Sequence, residues 1–312
     1  MPKARCHSRQ LNVVGTLTAP IGFAVIDKPA GLTSHACVAR IRRLLGIRRV
    51  GHGGTLDPAV TGVLPIAVGQ ATRLLPYLPG EKTYRGVIQL GISTTTDDLQ
   101  GEELSKQFVP DLSSASLDQA LSRFRGAINQ QPPQVSAVHV DGERAYARAR
   151  RGEQMELAAR PVTIHQLHLL EWDAAQAQLS VEVHCSAGTY IRSLARDLGA
   201  ALGCGGCLAS LRRTQALGFH DHQALSLPEA PDVVGQGEIN LLQPELALPH
   251  LPRRLLTASE QLDWSCGRRI TPGISGTANV VVVLSESGRM LGLGVPDADD
   301  GVKPKVVFEA RG

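Results

Sequence analysis

No stretch of this sequence stays apolar for the 20 or so residues that a bilayer-spanning helix needs. The segment from Met1 to Gln10 is polar and basic, without the apolar core of a signal peptide. A soluble, cytoplasmic protein is therefore expected. Cysteine is sparse and unorganised. Six are spread from Cys6 to Cys266, and their spacing gives no disulfide framework. Only Cys204-Gly-Gly-Cys207 is a close pair. It has no second pair and no His-x-x-x-His to complete a four-ligand zinc site. The ten histidines include no i, i+4 pair with a Glu between, so no metal is expected. Reduced thiols fit a cytoplasmic protein.

What is present describes a globular chain. Hydrophobic residues make up 43% and charged residues 20% of 312 positions. That length suggests a large domain with a small one, or two of medium size. The net charge of +3 is a mild basic bias. Its distribution says more: Arg40 to Arg49, Arg144 to Arg151, and Arg192 to Arg213 are three arginine clusters. Arginine suits phosphate forks and base stacking, though solvated helix faces would look alike.

Patterning divides the chain. Residues 1–20 read as a loose tail. Gly22-Phe23-Ala24-Val25-Ile26 reads as a buried strand, stopped by the turn residues Asp27 to Gly31. Thr33 or Ser34 can cap a helix whose apolar stripe is Val38, Ile41, Leu44 and Leu45. Arg49 to Gly62 reads as loop, Val63 to Val68 as a strand, and Ala71 to Leu78 as a short helix. Lys82 to Ile92 alternates as a strand, with Tyr84, Gly86, Ile88 and Leu90 on one face. Ser116-Leu-Asp-Gln119 reads as a capping box, opening a helix with Leu117, Leu121, Phe124 and Ile128 at helical spacing. From 130 to 160 the chain is polar and basic, an excursion from the core. Pro161 to Trp172 and Leu179 to Cys185 are strands, and Thr189 to Leu202 is a helix. Residues 223–252 read as a helical linker. From 253 on, short apolar runs separated by Gly suggest a small β-domain. Strands and helices do not alternate as a doubly wound sheet requires, so α+β is expected.

Two runs can carry chemistry. In Gly51-His-Gly-Gly-Thr-Leu-Asp57-Pro58, glycines free the backbone for close approach, and Pro58 restricts the conformation of Asp57. The run lacks the Gly-Lys-Ser/Thr ending of a phosphate loop and the preceding strand of a Rossmann fingerprint. In His184 to Arg192, a strand ends, small residues turn, and a helix opens with Tyr190 and Arg192 near its start. An arginine there can pair with a carboxylate or hold a phosphate. No Ser–His–Asp set can be assigned from spacing.

Gly51 to Leu78 resembles the signature of the bacterial tRNA pseudouridine-55 synthases, the TruB-type pseudouridine synthase family. Asp27 to Ser34, Lys82-Thr83-Tyr84, Thr94 to Gly101, Gln131 to Arg148, Arg160-Pro161-Val162, Cys185 to Arg192 and Leu211 to Thr214 resemble its other blocks, in order. One departure stands in the clamp: Val135-Ser-Ala-Val-His139, where the family usually has Tyr-Ser-Ala-x-Lys.

The resemblance implies a mixed, largely antiparallel sheet flanked by helices in a catalytic domain spanning 21–250. It implies an RNA clamp at about 130–160 and a PUA-like barrel at 251–312. The implied activity isomerises the uridine at position 55 in the T-loop of tRNA, after flipping the base from its stack. Asp57 would be the nucleophile and Arg192 the residue that orients it. Tyr84 would stack on the uracil and share in proton transfer. His52, Tyr190 and Leu211 would bind substrate, and Arg148, Arg150 and Arg151 are candidates for the RNA backbone. No cofactor is implied, because the rearrangement loses no atoms. Neither a protein partner nor a guide RNA is implied, and a monomer is expected. A tRNA-folding chaperone acting by binding alone, and a guide-RNA-dependent relative, are the alternatives.

Overall fold

The chain opens, in a computed structural model that describes residues 20–136, 138–140, 142–229, 232–272 and 279–308, with strand β1 (Gly22–Lys28). Helix α1 (Ser34–Leu45) follows, its first turn closed by the Thr33 hydroxyl, which accepts from the Ala36 amide. Next come β2 (Val50–His52), β3 (Thr61–Val68), a 3₁₀ turn over Gly69–Tyr77, and β4 (Lys82–Leu90). A hairpin of β5 (Ile92–Thr94) and β6 (Glu103–Lys106) leads to α2 (Ser114–Ser122) and β7 (Gly126–Gln130). The excursion holds a hairpin, β8 (His139–Val140) with β9 (Glu143–Arg144), and the short helix α3 (Ala145–Ala149). Then β10 (Arg160–Asp173), β11 (Gln178–Cys185), α4 (Ile191–Ala201) and β12 (Gly206–Ala216) complete the centre. Short strands β13 (Phe219–His220) and β14 (Leu225–Ser226) precede the last segment. That segment comprises β15 (Arg253–Leu256), α5 (Ala258–Ser265), β16 (Val281–Ser285), β17 (Met290–Pro296) and β18 (Val302–Val307).

The main sheet runs β14-β1-β3-β12-β4-β11-β10-β7, with β2 on β3 and β13 on β12. Only β1–β14 and β12–β3 are parallel, so the α+β, largely antiparallel expectation holds. β1 explains its own composition. Ala24 and Ile26 face the first core with Val38 and Ile41 of α1, while Phe23 and Val25 face a second core. A strand buried on both faces needs an unbroken apolar run. Ile191, Leu194 and Leu198 of α4 join the first core at helical spacing. A second sheet, β15-β16-β17-β18, forms the C-terminal unit, with α5 and its buried Trp264 packed against it.

Local readings needed correction. The Arg49–Gly62 loop contains β2, a strand too short for periodicity to reveal. The helix read over Ala71–Leu78 is the 3₁₀ turn, with Pro76 inside it. α2 is capped by Ser113 rather than Ser116 and ends at Ser122, and Ile128 lies in β7. Gly126, with φ +86°, breaks the helical spacing that linked Leu121 to Ile128. The linker is not an α-helix: among its described residues the helical turns are 3₁₀, ending at Gln223 and over Pro244–Ala247. The C-terminal segment, expected to be β, also holds the helix α5, which Thr257 and Glu260 open as a capping box. Residues 1–19, and with them nearly all of the expected tail, lie outside the described residues.

Candidate active site

Asp57 lies in the connection from β2 to β3, and its backbone is pinned from several sides. Gly54 turns with φ +91°, a conformation that favours glycine. Arg213, fully buried, donates from Nη2 to the Gly54 carbonyl (3.1 Å) and from Nε to that of Val63 (2.8 Å). The buried Ser34 hydroxyl accepts from the Leu56 amide (2.8 Å) and donates to the Leu56 carbonyl (3.1 Å). Beyond Asp57, the Pro58 carbonyl accepts from the Gly31 amide (2.9 Å) and from Lys28 Nζ (3.1 Å). Burial pushes the Lys28 ammonium below its ordinary pKa, opposed by Cys37 and then Asp57. With the backbone held this way, the Asp57 side chain remains 45% exposed to the cleft.

Arg192 meets it there. It follows the first residue of α4, whose N-terminal cap position is Tyr190. Its side chain is only 7% exposed, and Nη2 lies 2.9 Å from Asp57 Oδ2. The same guanidinium donates to the carbonyls of Thr96 and Val135, each at 2.9 Å, and Nε lies 3.7 Å from Asp98 Oδ2. Every edge of the fork is used, which fixes its plane. The polar turn after β5 thereby supports the carboxylate at one remove. Asp97 in that turn, with φ +60°, is tied to Arg196 at 2.8 Å.

Tyr84 faces the same cleft from β4, paired in register with Val183 and Arg213 and 7% exposed. Burial raises its phenol pKa, with the Arg213 charge opposing, so the hydroxyl stays protonated at neutral pH. Tyr190 and Leu211 complete a cleft of about 290 Å³, in which Asp57 is the one carboxylate of the lining among the described residues. That volume, at the low end for small-ligand sites, suits a single base. A larger groove, about 470 Å³, lies between Ile21 and Phe308, away from this chemistry.

Thus Asp57, Tyr84, Tyr190, Arg192 and Leu211 converge. His52 does not line the cleft; it lies on β2 with its ring edge-on to His35, centroids 5.1 Å apart. Burial, then His35 and Arg213, hold its pKa below the ordinary value. The arginines expected to reach the RNA backbone also stand elsewhere. Arg148 pairs with Glu153 (2.7 Å), Arg151 with Glu143 (2.6 Å) and Glu153 (2.9 Å), and Arg150 sits 5.4 Å from the Tyr146 ring centre. Residues that were not singled out include Lys28, Ser34, Lys82, Ser136 and Arg213. All lie inside blocks of the resemblance, and the contacts of Ser34 with Leu56 and of Arg213 with Gly54 and Val63 join residues far apart in sequence.

Among solved structures, an H/ACA RNP bound to a substrate RNA containing 2′-deoxyuridine matches with a TM-score of 0.67 and 26% identity, over 92% of this chain and 84% of that one. The fold is that of the pseudouridine synthases. The model of the TruB family pseudouridylate synthase N-terminal domain matches residues 42–191, and that of the tRNA pseudouridylate synthase B C-terminal domain matches 192–240. The tRNA pseudouridine synthase B of Synechococcus sp. (strain WH7803) is 75% identical over 95% of this chain and all of its own length. That of Prochlorococcus marinus (strain MIT 9313) is 54% identical over the same shares. The chain belongs to the TruB family.

Proposed function

We infer that this chain is an isomerase, a tRNA pseudouridine synthase, and that its target is the uridine at position 55 in the T-loop. The observation that carries the reading is the 2.9 Å pairing of Asp57 with Arg192 in a base-sized cleft bounded by Tyr84. Flipping the uridine costs a few kcal/mol. Stacking on an aromatic ring returns about 1–3 kcal/mol. Tyr84 provides that ring, with Leu211 and Tyr190 forming other parts of the wall. Asp57 is the nucleophile, attacking either C1′ of the ribose or C6 of the base. The C1′–N1 bond breaks, the ring turns, and C5 bonds to C1′. C5 then loses its proton and N1 gains one, with Tyr84 beside the exchange. Arg192 holds Asp57 in the direction of attack.

His52, outside the cleft lining, belongs to contact with the opened T-loop. The excursion from 130 to 160, with Arg148, Arg150 and Arg151, is read as a clamp on the RNA backbone. The C-terminal unit from 251 to 312 is read as a PUA-like RNA grip. A clamp of its own lets the enzyme select tRNA as a monomer, without guide RNA or protein partner, in the cytoplasm where that substrate is found. Tritium release from C5-labelled uridine in an unmodified tRNA transcript tests the reading. Wild type releases tritium with the product mapped to the T-loop, while Asp57→Asn binds tRNA and releases none. Turnover by the Asn variant at the wild-type rate would remove Asp57 from the nucleophile's role.

A further inference from the structure

One charged group in the cleft has no part in the chemistry above. Lys82 begins β4, two residues before Tyr84 and on the same face of the strand. Its stem runs past the Asp57 connection: a Cβ on Gly54 would lie 3.4 Å from Lys82 Cε. Neighbouring cations are committed. Arg192 is taken by Asp57 and by backbone carbonyls, and Arg213 lies beneath, fully buried, on the carbonyls of Gly54 and Val63. Lys82 Nζ donates to one carbonyl, that of Gly80 at 3.1 Å, and no carboxylate pairs with it among the described residues.

The reaction creates a charge that needs such a partner. If Asp57 attacks C1′, the electron pair of the broken C1′–N1 bond leaves with the uracil and spreads over N1, O2 and O4. If Asp57 attacks C6, the pair of the C5=C6 double bond moves onto the C4 carbonyl oxygen. Either route places negative charge on the carbonyl edge of a base enclosed in this cleft. Rejoining through C5 and the transfer of its proton discharge it. An ammonium fixed beforehand stabilises that charge more than water could.

We propose that Lys82 is a further catalytic residue, the cation that meets the negative charge developing on the uracil during isomerisation. The proposal rests on the synthase reading above. The surroundings of Lys82 favour it: burial, and then the nearby Arg213, disfavour the ammonium, with Cys185 opposing. An arriving anion relieves both penalties, and it does so where charge develops rather than on the neutral base. Lys82 should therefore act on turnover and leave tRNA binding nearly unchanged.

The test compares wild type, Lys82→Met and Lys82→Arg, with unmodified tRNA transcript as substrate. Single-turnover tritium release and Kd over a series of salt concentrations are measured, and thermal melts check folding. The expected result is a fall of about 100-fold in the rate for Lys82→Met, as for loss of one preorganised charge donor. Its Kd and salt slope stay unchanged, and Lys82→Arg recovers about a tenth or more of the lost rate. A different result would make Lys82 a phosphate anchor and overturn the proposal: weaker binding, a salt slope shallower by about 0.7 to 0.9, and a normal rate at saturating tRNA. Folded Lys82→Met turning over at the wild-type rate would overturn it as well. If Lys82→Met fails to fold, Lys82→Arg decides: a rate about 100-fold below wild type despite a normal melt also overturns the proposal. No release by wild type would instead strike the synthase reading itself.

Discussion

The carboxylate of Asp57 is placed by groups that reach it from several elements of the fold. Ser34, Lys28 and Arg213 fix the backbone on either side of it, and Arg192 fixes the side chain. Arg192 does so with a planar fork whose nitrogens also bind the carbonyls of Thr96 and Val135. A lysine offers a point charge on a flexible stem and cannot make those contacts together. Arg192→Lys is therefore expected to keep tRNA binding and to lose about 100-fold in single-turnover rate, the scale of a misplacement of about 1 Å. Stopped binding assays alongside tritium release separate the two quantities, and a variant with equal losses in both would mean that Arg192 holds the RNA instead. At this scale the sequence was informative about identity and silent about support. Asp57 stands out because glycines and a proline surround it, and Arg192 because a strand-to-helix turn precedes it. Lys28 and Arg213 sit in blocks of the same resemblance, but a lysine bonded to three carbonyls looks in sequence like any other lysine.

Elements show a different balance. Long apolar periods announced β1, β3, β4, β10, β11, α1 and α4 close to their observed limits, because burial sets both the period and the structure. The misreadings fell where an element is short or irregular, as at β2 and the 3₁₀ turn, or where burial is slight, as in the linker. β2 is three residues long, and α2 ends at Ser122 because the strand β7 begins four residues later. The excursion from 130 to 160 was legible only as an absence of apolar period, and its internal pairing was not legible at all. Arg151 is spanned by Glu143 and Glu153, and Arg148 also meets Glu153, whereas Arg150 lies against Tyr146. Burial is slight there too, so these pairs are worth little each. On the clamp reading, a guanidinium already facing carboxylates must exchange partners to reach phosphate. Replacing Arg148, Arg150 and Arg151 together by Ala should weaken tRNA binding and flatten its salt dependence by about 0.7 for each lost phosphate contact. Arg150→Ala alone should account for more of that change than Arg151→Ala. Titrations at several salt concentrations check both statements, and an unchanged slope in the triple variant would leave the clamp without a backbone role.

Across the whole molecule, the two sheets share a core. β16 shows how. Val282 and Leu284 face Phe23, Val25 and Leu74 of the larger body, and Val283 between them faces Trp264. Arg73 Nη1 adds a hydrogen bond to the Val307 carbonyl at 3.0 Å. On its own side the C-terminal unit has, among the described residues, one small cluster, Leu256, Trp264, Ile270, Val283, Leu291 and Val302. Six buried side chains are a thin core for a unit near the lower limit of independent folding. Its stability must then come largely from the surface it buries against β1 and β3. The sequence suggested a separate small domain because its apolar runs are short and Gly-punctuated, and nothing in those runs shows which face is shared. Unfolding should accordingly be one cooperative event. The two tryptophans report on opposite ends, Trp172 on β10 and Trp264 in α5. In single-tryptophan variants, Trp264→Phe and Trp172→Phe, denaturant midpoints from the remaining fluorescence should coincide with those from far-ultraviolet circular dichroism of the same variant. If the Trp264 signal is lost at a clearly lower denaturant concentration than the dichroism, the C-terminal unit melts first and the shared core does not couple the two bodies.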